Sequence, residues 1–414
     1  MAEQFALPVS LLVLIPSLLQ QLGPDGFGLF GVALTVISMS ALFSIGASSI
    51  TARNVSLCVE KNDNAGAISA VRSAIGVVLL FGGSIAALAV ISVPTISKHF
   101  LQRMGTDNTT SAALLVGLVC ALLQEFDTVF SMALKGRDRF RLAATIEWVG
   151  RFLWATTILA AAAFSGLIAT LVATVASLAV KAIVKGAATA LVFHSSAVVV
   201  PSFDLARQGR LVSASRWLWF QNLSGLLALA ADRLVVGSLF GSASMGVYTA
   251  CAQLGQFAML VPATAGQALL PWATKHVVAG TSPSRGWKVT LVYLGFVCLV
   301  PGITMGLLSA QALSVWLGPS FSENNWPTLV ALSVSGASLA FFVPYHYALL
   351  AAGRVRLIGW ANICGGLVCL ATYFVAAPWG ITAFAAARAS YALPLMCYVF
   401  VQLLPMAAPR SSTK

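Results

Sequence analysis

Apolar runs long enough to cross a bilayer recur along the chain, separated by short polar gaps. Twelve are read, over residues 5–21, 27–50, 74–97, 111–134, 142–164, 166–192, 213–240, 245–272, 288–309, 327–351, 357–377 and 381–405. Most reach the ~20 residues that a spanning helix needs. The first is short and is interrupted by Pro8 and Pro16. The gaps carry turn chemistry, in "GPDG", "FSG", "FGSASMG" and "APWG": proline fixes φ, and glycine admits the positive φ of tight turns. The stretch "LGPDGFGLF", Leu22 to Phe30, therefore reads as the hairpin turn between the first two helices.

Composition puts these helices in a membrane. Hydrophobic residues make up 59% and charged residues 9% of the 414, against about 25% charged in soluble domains. So apolar a chain cannot cover an aqueous surface. The net charge of +12 comes from single basic residues in the gaps, a topology signal rather than a nucleic-acid footprint. With the N-terminus inside, seventeen Lys and Arg fall in cytoplasmic segments, and only Lys98 and Arg103 fall outside. This bias orients the chain and predicts both termini in the cytoplasm. No basic region or cleavage site precedes the first turn, so the first apolar run is read as a span and not as a cleaved signal. The seven cysteines form no CxxC pair and the four histidines show no metal spacing; no metal site and no cofactor is expected.

The opening motif returns in the second half. "LGPDGFGLF" aligns with "FGSASMGVY", placing Gly23 on Gly241, Gly28 on Gly246 and Phe30 on Tyr248. "ALKGRDRFRL" matches "LAAGRVRLIG", and "SGLIA" from Ser165 matches "WGITA" from Trp379 more loosely. Three matches in the same order predict two parallel six-helix repeats, related by a pseudo-twofold axis along the membrane normal, an arrangement used by transporters. The expected domains are an N-terminal lobe (1–192), a cytoplasmic linker (193–212), a C-terminal lobe (213–405) and a cytoplasmic tail (406–414).

At these residues a family becomes visible. "QQLGPDGFGLFGVALTVISMSALFSIGASSITARNVS" resembles the N-terminal signature of the polysaccharide-transporter branch of the multidrug, oligosaccharidyl-lipid and polysaccharide exporter superfamily. "ADRLVVGSLFGSASMGVYTACAQLGQFAMLVPATAGQALLPWATK" is similar to its seventh and eighth spans, and "YALLAAGRVRLIGWANICGG" to the turn between its tenth and eleventh. The resemblance implies an all-α polytopic, MATE-like fold of about twelve transmembrane helices. It also implies a flippase of the bacterial inner membrane, moving an undecaprenyl-pyrophosphate-linked oligosaccharide to the outer leaflet for O-antigen, capsule or exopolysaccharide assembly. The partners implied are that polyprenyl-linked oligosaccharide, membrane lipid and the polysaccharide polymerase machinery.

Charges inside spans are costly, about 2.5–3.5 kcal/mol each at a helix centre. The chain keeps nine: Glu125, Asp127, Glu147, Arg151, Lys181, Lys185, Asp232, Arg233 and Arg388. They should line a wet cavity or pair internally. Arg151, Arg233 and Arg388 are the candidates for a head-group phosphate, because a guanidinium fork binds two oxygens. Glu125, Asp127, Glu147, Asp232, Lys181 and Lys185 are the candidates for cavity lining or for proton or sodium coupling. Each has a plainer reading. Glu147 and Arg151 lie four apart and could neutralise each other. Lys181 and Lys185 could snorkel to the cytoplasmic interface. Glu125 and Asp127 point to different faces. Arg388 has no acid within a helical turn; it either lines the cavity or pairs at distance, with Asp232 or Glu125.

The alternative is a cation-coupled multidrug exporter of the same superfamily, for which an acid-dominated cavity is expected; the in-span count of five basic to four acidic residues leans to an anionic substrate. A glycosyltransferase or polymerase needs a large catalytic outer loop. The longest outer gaps, 98–110 and 310–326, hold no acid-plus-histidine cluster beyond His99 and Asp107, so no enzyme is expected.

Overall fold

The computed structural model describes residues 2–397 except 45, 100–101, 105–106, 205–207, 210, 214–218, 221–222, 224, 227–229 and 279–284. Every regular element among the described residues is helical. Seven helical segments there are long and apolar enough to cross a membrane. Two of the helices turn at an internal glycine. Helix α1, Ala2–Ser38, has 37 residues, about 55 Å at 1.5 Å per residue, against a ~30 Å hydrocarbon core. It turns at Gly23 (φ 70°, ψ 172°), inside the motif read as a hairpin. Pro8 and Pro16 stay within the helix, so the first span is not cut short there; membrane helices tolerate proline when neighbours re-satisfy the backbone.

Helix α2 is Ala47–Glu60 and α3 is Asn64–Val77. A π-helical stretch, Val78–Gly82, joins α3 to α4, Gly83–His99. Helix α5 is Asp107–Gly136. The longest helix, α6, runs over Phe140–Phe193 with a turn at Gly166 (φ 74°). Its halves fold back on each other: Lys181 Nζ reaches Glu147 at 3.1 Å across 34 residues of sequence. The second half of the chain repeats the same punctuation. Gly241, aligned with Gly23, and Gly380, aligned with Gly166, also have positive φ, at 91° and 92°. Only glycine takes that region without strain, which is why the turns survive in sequences that otherwise share little.

The run read as a continuous second span is broken. After α1 comes a 3₁₀ turn, Ser40–Leu42, then Gly46 in the left-handed region, then α2. Gly82 of the π stretch lies against this break, where a Cβ would come within 2.8 Å of the Phe43 carbonyl oxygen. Further on, the run 245–272 is divided among Ser242–Gly255 (α8), Phe257–Gly266 and Leu269–Val278. The seventh predicted span lies largely outside the described residues, apart from α7, Ala231–Phe240. The last is described as Ile381–Ala387 followed by a 3₁₀ segment, Arg388–Ala392.

The chain divides into two compact units, Met1–Leu226 with Arg233–Thr249, and Leu227–Asp232 with Ala250–Lys414. Within the first unit the repeated turns meet. A Cβ on Gly28 would lie 2.0 Å from the Ser242 carbonyl oxygen, and one on Gly246 would lie 2.5 Å from that of Pro24. The two aligned glycines thus allow backbone to pack on backbone, and the Ser242 hydroxyl donates to Asp25 beside them.

Candidate functional site: a buried ionic cluster

Five of the nine in-span charges converge inside the first unit. The first half of α6 presents Glu147, Arg151 and Trp154 on one face, spaced four and three apart. The returning half presents Lys181 and Lys185, and α5 adds Asp127. Glu147 is the hub. It accepts from Arg151 Nε at 2.8 Å, from Lys181 Nζ at 3.1 Å and from Lys185 Nζ at 2.6 Å. Asp127 Oδ2 takes Lys181 at 3.1 Å and Lys185 at 2.9 Å. Gly150 makes room for this: a Cβ there would sit 2.6 Å from the Lys181 stem.

The snorkelling reading of the two lysines is therefore replaced. They are only 3% and 1% exposed, and their ammonium groups turn inward because two carboxylates lie within reach. The expected Glu147–Arg151 pair is present, as one edge of a larger network. The arithmetic of the cluster is uneven. Three basic side chains face two acidic ones, so within these five the basic groups are in excess by one. The Arg151 guanidinium lies 5.9 Å from the Trp154 ring centre, and the buried Trp154 Nε1 has no protein acceptor. This side of the cluster is thus rich in donors, as an anion site requires.

Glu125, two residues before Asp127, faces the other way, toward the hydroxyls of Ser40, Ser44 and Ser48. Those serines recur at every fourth residue of the sequence, an uncharged pattern beside the in-span charges. In the second unit, Arg388 Nη1 meets the wholly buried Asp232 Oδ2 at 3.2 Å. Of the readings open for Arg388, the structure shows the pair with Asp232. Arg233 is partly buried in the first turn of α7. Among the described residues no group of three or more His, Cys, Asp or Glu could hold a metal ion.

A family model described as "Polysaccharide biosynthesis protein" matches residues 9–277. The chain belongs to the polysaccharide biosynthesis protein family. A Shigella flexneri protein described as "Putative O-antigen transporter" is 22% identical over 91% of this chain and 90% of its own. The Bacillus subtilis membrane protein EpsK is 24% identical over 83% of this chain and 69% of its own. Among solved structures, an inward-facing multidrug resistance MATE transporter of the MOP superfamily superposes with a TM-score of 0.73 at 13% identity, covering 97% of this chain and 96% of that one. The lipid II flippase MurJ, in an inward closed conformation, gives 0.65 at 10% identity, covering 94% and 86%. The fold of this family member is accordingly MATE-like, and the protein is a multi-pass membrane protein whose relatives and structural neighbours are described as transporters and a flippase, not as enzymes.

Proposed function

We propose that the protein is a flippase that carries a polyprenyl-pyrophosphate-linked oligosaccharide from the cytoplasmic to the outer leaflet of the bacterial inner membrane by alternating access, with both termini in the cytoplasm. The observation that carries this reading is the surplus positive charge of the Asp127–Glu147–Arg151–Lys181–Lys185 cluster. A pyrophosphate cannot cross hydrocarbon unaided, because transferring an isolated charge out of water costs tens of kcal/mol in the limiting case. A buried site with one cation in excess offsets that cost for an anion and opposes a cationic drug. Arg151 contacts the phosphate through the guanidinium edge that Glu147 leaves open. Lys181 and Lys185, held by both acids, keep the local field positive. Arg233 and Arg388 are further head-group contacts; Arg388 divides its charge between Asp232 and substrate. The lipid tail stays in the bilayer, and the polymerase machinery takes the glycan at the outer leaflet.

The test is genetic. Deleting the gene in its native host should abolish the surface polysaccharide and leave lipid-linked oligosaccharide in the cytoplasmic leaflet. Wild type should restore the polysaccharide, and Arg151→Ala, expressed to the same level, should not. An unchanged surface polysaccharide in the deletion strain would refute the proposal.

A further inference from the structure

The turn between α5 and α6 gathers positive charge at the surface of the first unit. Residues 135–141 read Lys-Gly-Arg-Asp-Arg-Phe-Arg, four basic side chains against one acid. The turn is firmly held. A Cβ on Gly136 would come within 2.7 Å of the Ala52 carbonyl oxygen, and the Ser56 hydroxyl donates to the Gly136 carbonyl at 3.1 Å. The Arg139 amide closes back on the Leu134 carbonyl at 2.9 Å. Arg137 lies 4.4 Å over the Phe193 ring and donates to Asn64. Arg139 and Arg141 follow on this fixed support, and both are exposed.

The helix that leaves the turn has two opposite faces. Its inward face carries Glu147, Arg151 and Trp154. On the other face Arg141, Thr145, Trp148 and Phe152 recur at spacings of four, three and four, and all are exposed. Phe140, Val149 and Phe152 are 56%, 62% and 72% exposed. An exposed face this apolar, on a helix of spanning length, lies against acyl chains. At 1.5 Å per residue, Trp148 is about 10 Å and Phe152 about 16 Å along the helix from Arg141. The apolar stripe therefore runs out of the hydrocarbon into a pair of arginines. That is the shape of a phospholipid, with a chain along the stripe and a phosphate at its end. Basic clusters at the ends of spans attract anionic head groups, and a guanidinium fork takes two phosphate oxygens.

We infer that the α5–α6 turn binds the head group of an anionic phospholipid through Arg139 and Arg141, with an acyl chain against Trp148 and Phe152. Phe140, exposed between the two arginines, gives the boundary of the chains an apolar contact. A zwitterionic lipid fits less well, because its own cation meets the same arginines. The bound lipid braces the start of the helix that carries Glu147 and Arg151 and touches neither. The site does not depend on what the protein transports, nor on which leaflet the turn faces.

The experiment uses the full-length protein in phosphatidylcholine vesicles and reads tryptophan fluorescence. Brominated phosphatidylglycerol or brominated phosphatidylcholine is mixed into both leaflets as quencher. The Trp148 signal is the difference between wild type and Trp148→Phe. Phosphatidylglycerol should quench it at a mole fraction about thirtyfold lower than phosphatidylcholine, the effect of two basic residues near the surface. Arg139→Gln with Arg141→Gln, at unchanged Tm in phosphatidylcholine, should bring the two lipids to parity, and the double lysine variant should keep most of the preference. Native mass spectrometry of detergent-purified protein checks the same point without a tryptophan variant: wild type should retain a phosphatidylglycerol that the double glutamine variant loses. Equal quenching by the two lipids in wild type, or a preference that survives the double glutamine change, would overturn the assignment. So would displacement of the brominated phosphatidylglycerol by millimolar inorganic pyrophosphate at fixed ionic strength, which would mark a site for soluble or substrate phosphate.

Discussion

Glu147 should be the least replaceable member of the buried cluster, and the structure gives a rank order. Glu147→Gln removes the negative charge shared by Arg151, Lys181 and Lys185, whose contacts measure 2.8, 3.1 and 2.6 Å, and turns one acceptor oxygen into an amide donor. It leaves three cations facing one acid, a local charge of +2. Breaking a buried ion pair from one side costs about 3–5 kcal/mol, and this change leaves three partners under-compensated, so the upper part of that range is expected. Lys185→Met also removes two short contacts, to Asp127 at 2.9 Å and Glu147 at 2.6 Å. It leaves two cations against two acids, a neutral set, with an apolar chain of similar length in a site where Lys185 is 1% exposed. Its cost should be roughly 1–2 kcal/mol, because buried charges replaced by apolar groups of like volume are often near neutral. The double variant should be more stable than Glu147→Gln, with a coupling energy of about 1–3 kcal/mol. The assay is a double-mutant cycle on detergent-purified protein, by reversible denaturant unfolding or, failing reversibility, by thermal midpoints. Finding Lys185→Met as damaging as Glu147→Gln, or strictly additive costs, would refute the hub reasoning.

Other outcomes follow from the same structure. Arg388→Ala should lower stability by about 3 kcal/mol by removing the guanidinium paired with the fully buried Asp232, and Asp232→Asn in the same chain should restore most of it; a full-stability Arg388→Ala protein would break the pairing. Gly28→Ala should fail to accumulate, because its Cβ would meet the Ser242 carbonyl at 2.0 Å, whereas Gly83→Ala, with nothing within 4 Å, should accumulate normally; equal expression levels would contradict the close packing. Paired cysteines at Asp25 and Ser242, whose side chains are hydrogen-bonded, should cross-link under mild oxidation, seen as a dithiothreitol-reversible gel shift between fragments after cleavage of the intervening chain. Single cysteines at Asp25 and Glu323 should label with an impermeant maleimide on intact cells, and those at Asp63, Asp138 and Arg354 only after permeabilisation; the reverse pattern would invert the proposed orientation.

Much of the fold was legible in the chain because a bilayer makes hydropathy and glycine unusually informative. The turns at Gly23 and Gly166 and their echoes at Gly241 and Gly380 rest on backbone geometry that only glycine provides. The local Glu147–Arg151 pair was legible for a similar reason, since i,i+4 spacing sets side chains together on any helix. The partners of Lys181 and Lys185 were not. Asp127 is 58 residues from Lys185, and only the folding back of α6 against α5 brings them together. Arg388 and Asp232 are 156 residues apart; an in-span charge needs a partner somewhere, so Asp232 was readable as one of two acids open to Arg388, and only the fold chooses between them. The break at Ser40–Gly46 was missed because its residues are all apolar, small or hydroxylated. Such a segment keeps high hydropathy whether it is helical or not, and only the four-residue spacing of the serines hinted at a shared face.

The central claim is transport of a polyprenyl-linked glycan through a cation-rich site. Its most direct measurement is leaflet accessibility in proteoliposomes made with lipid-linked oligosaccharide extracted from the native host, using an impermeant glycan-oxidising reagent from outside. Unidirectional reconstitution and substrate confined at first to the inner leaflet make movement visible as newly reactive glycan. The account predicts that glycan becomes accessible with wild-type protein, and that Arg151→Ala of equal yield and Tm shows no more than protein-free vesicles. Glycan that stays protected with wild type, or that appears equally fast with Arg151→Ala, would contradict it.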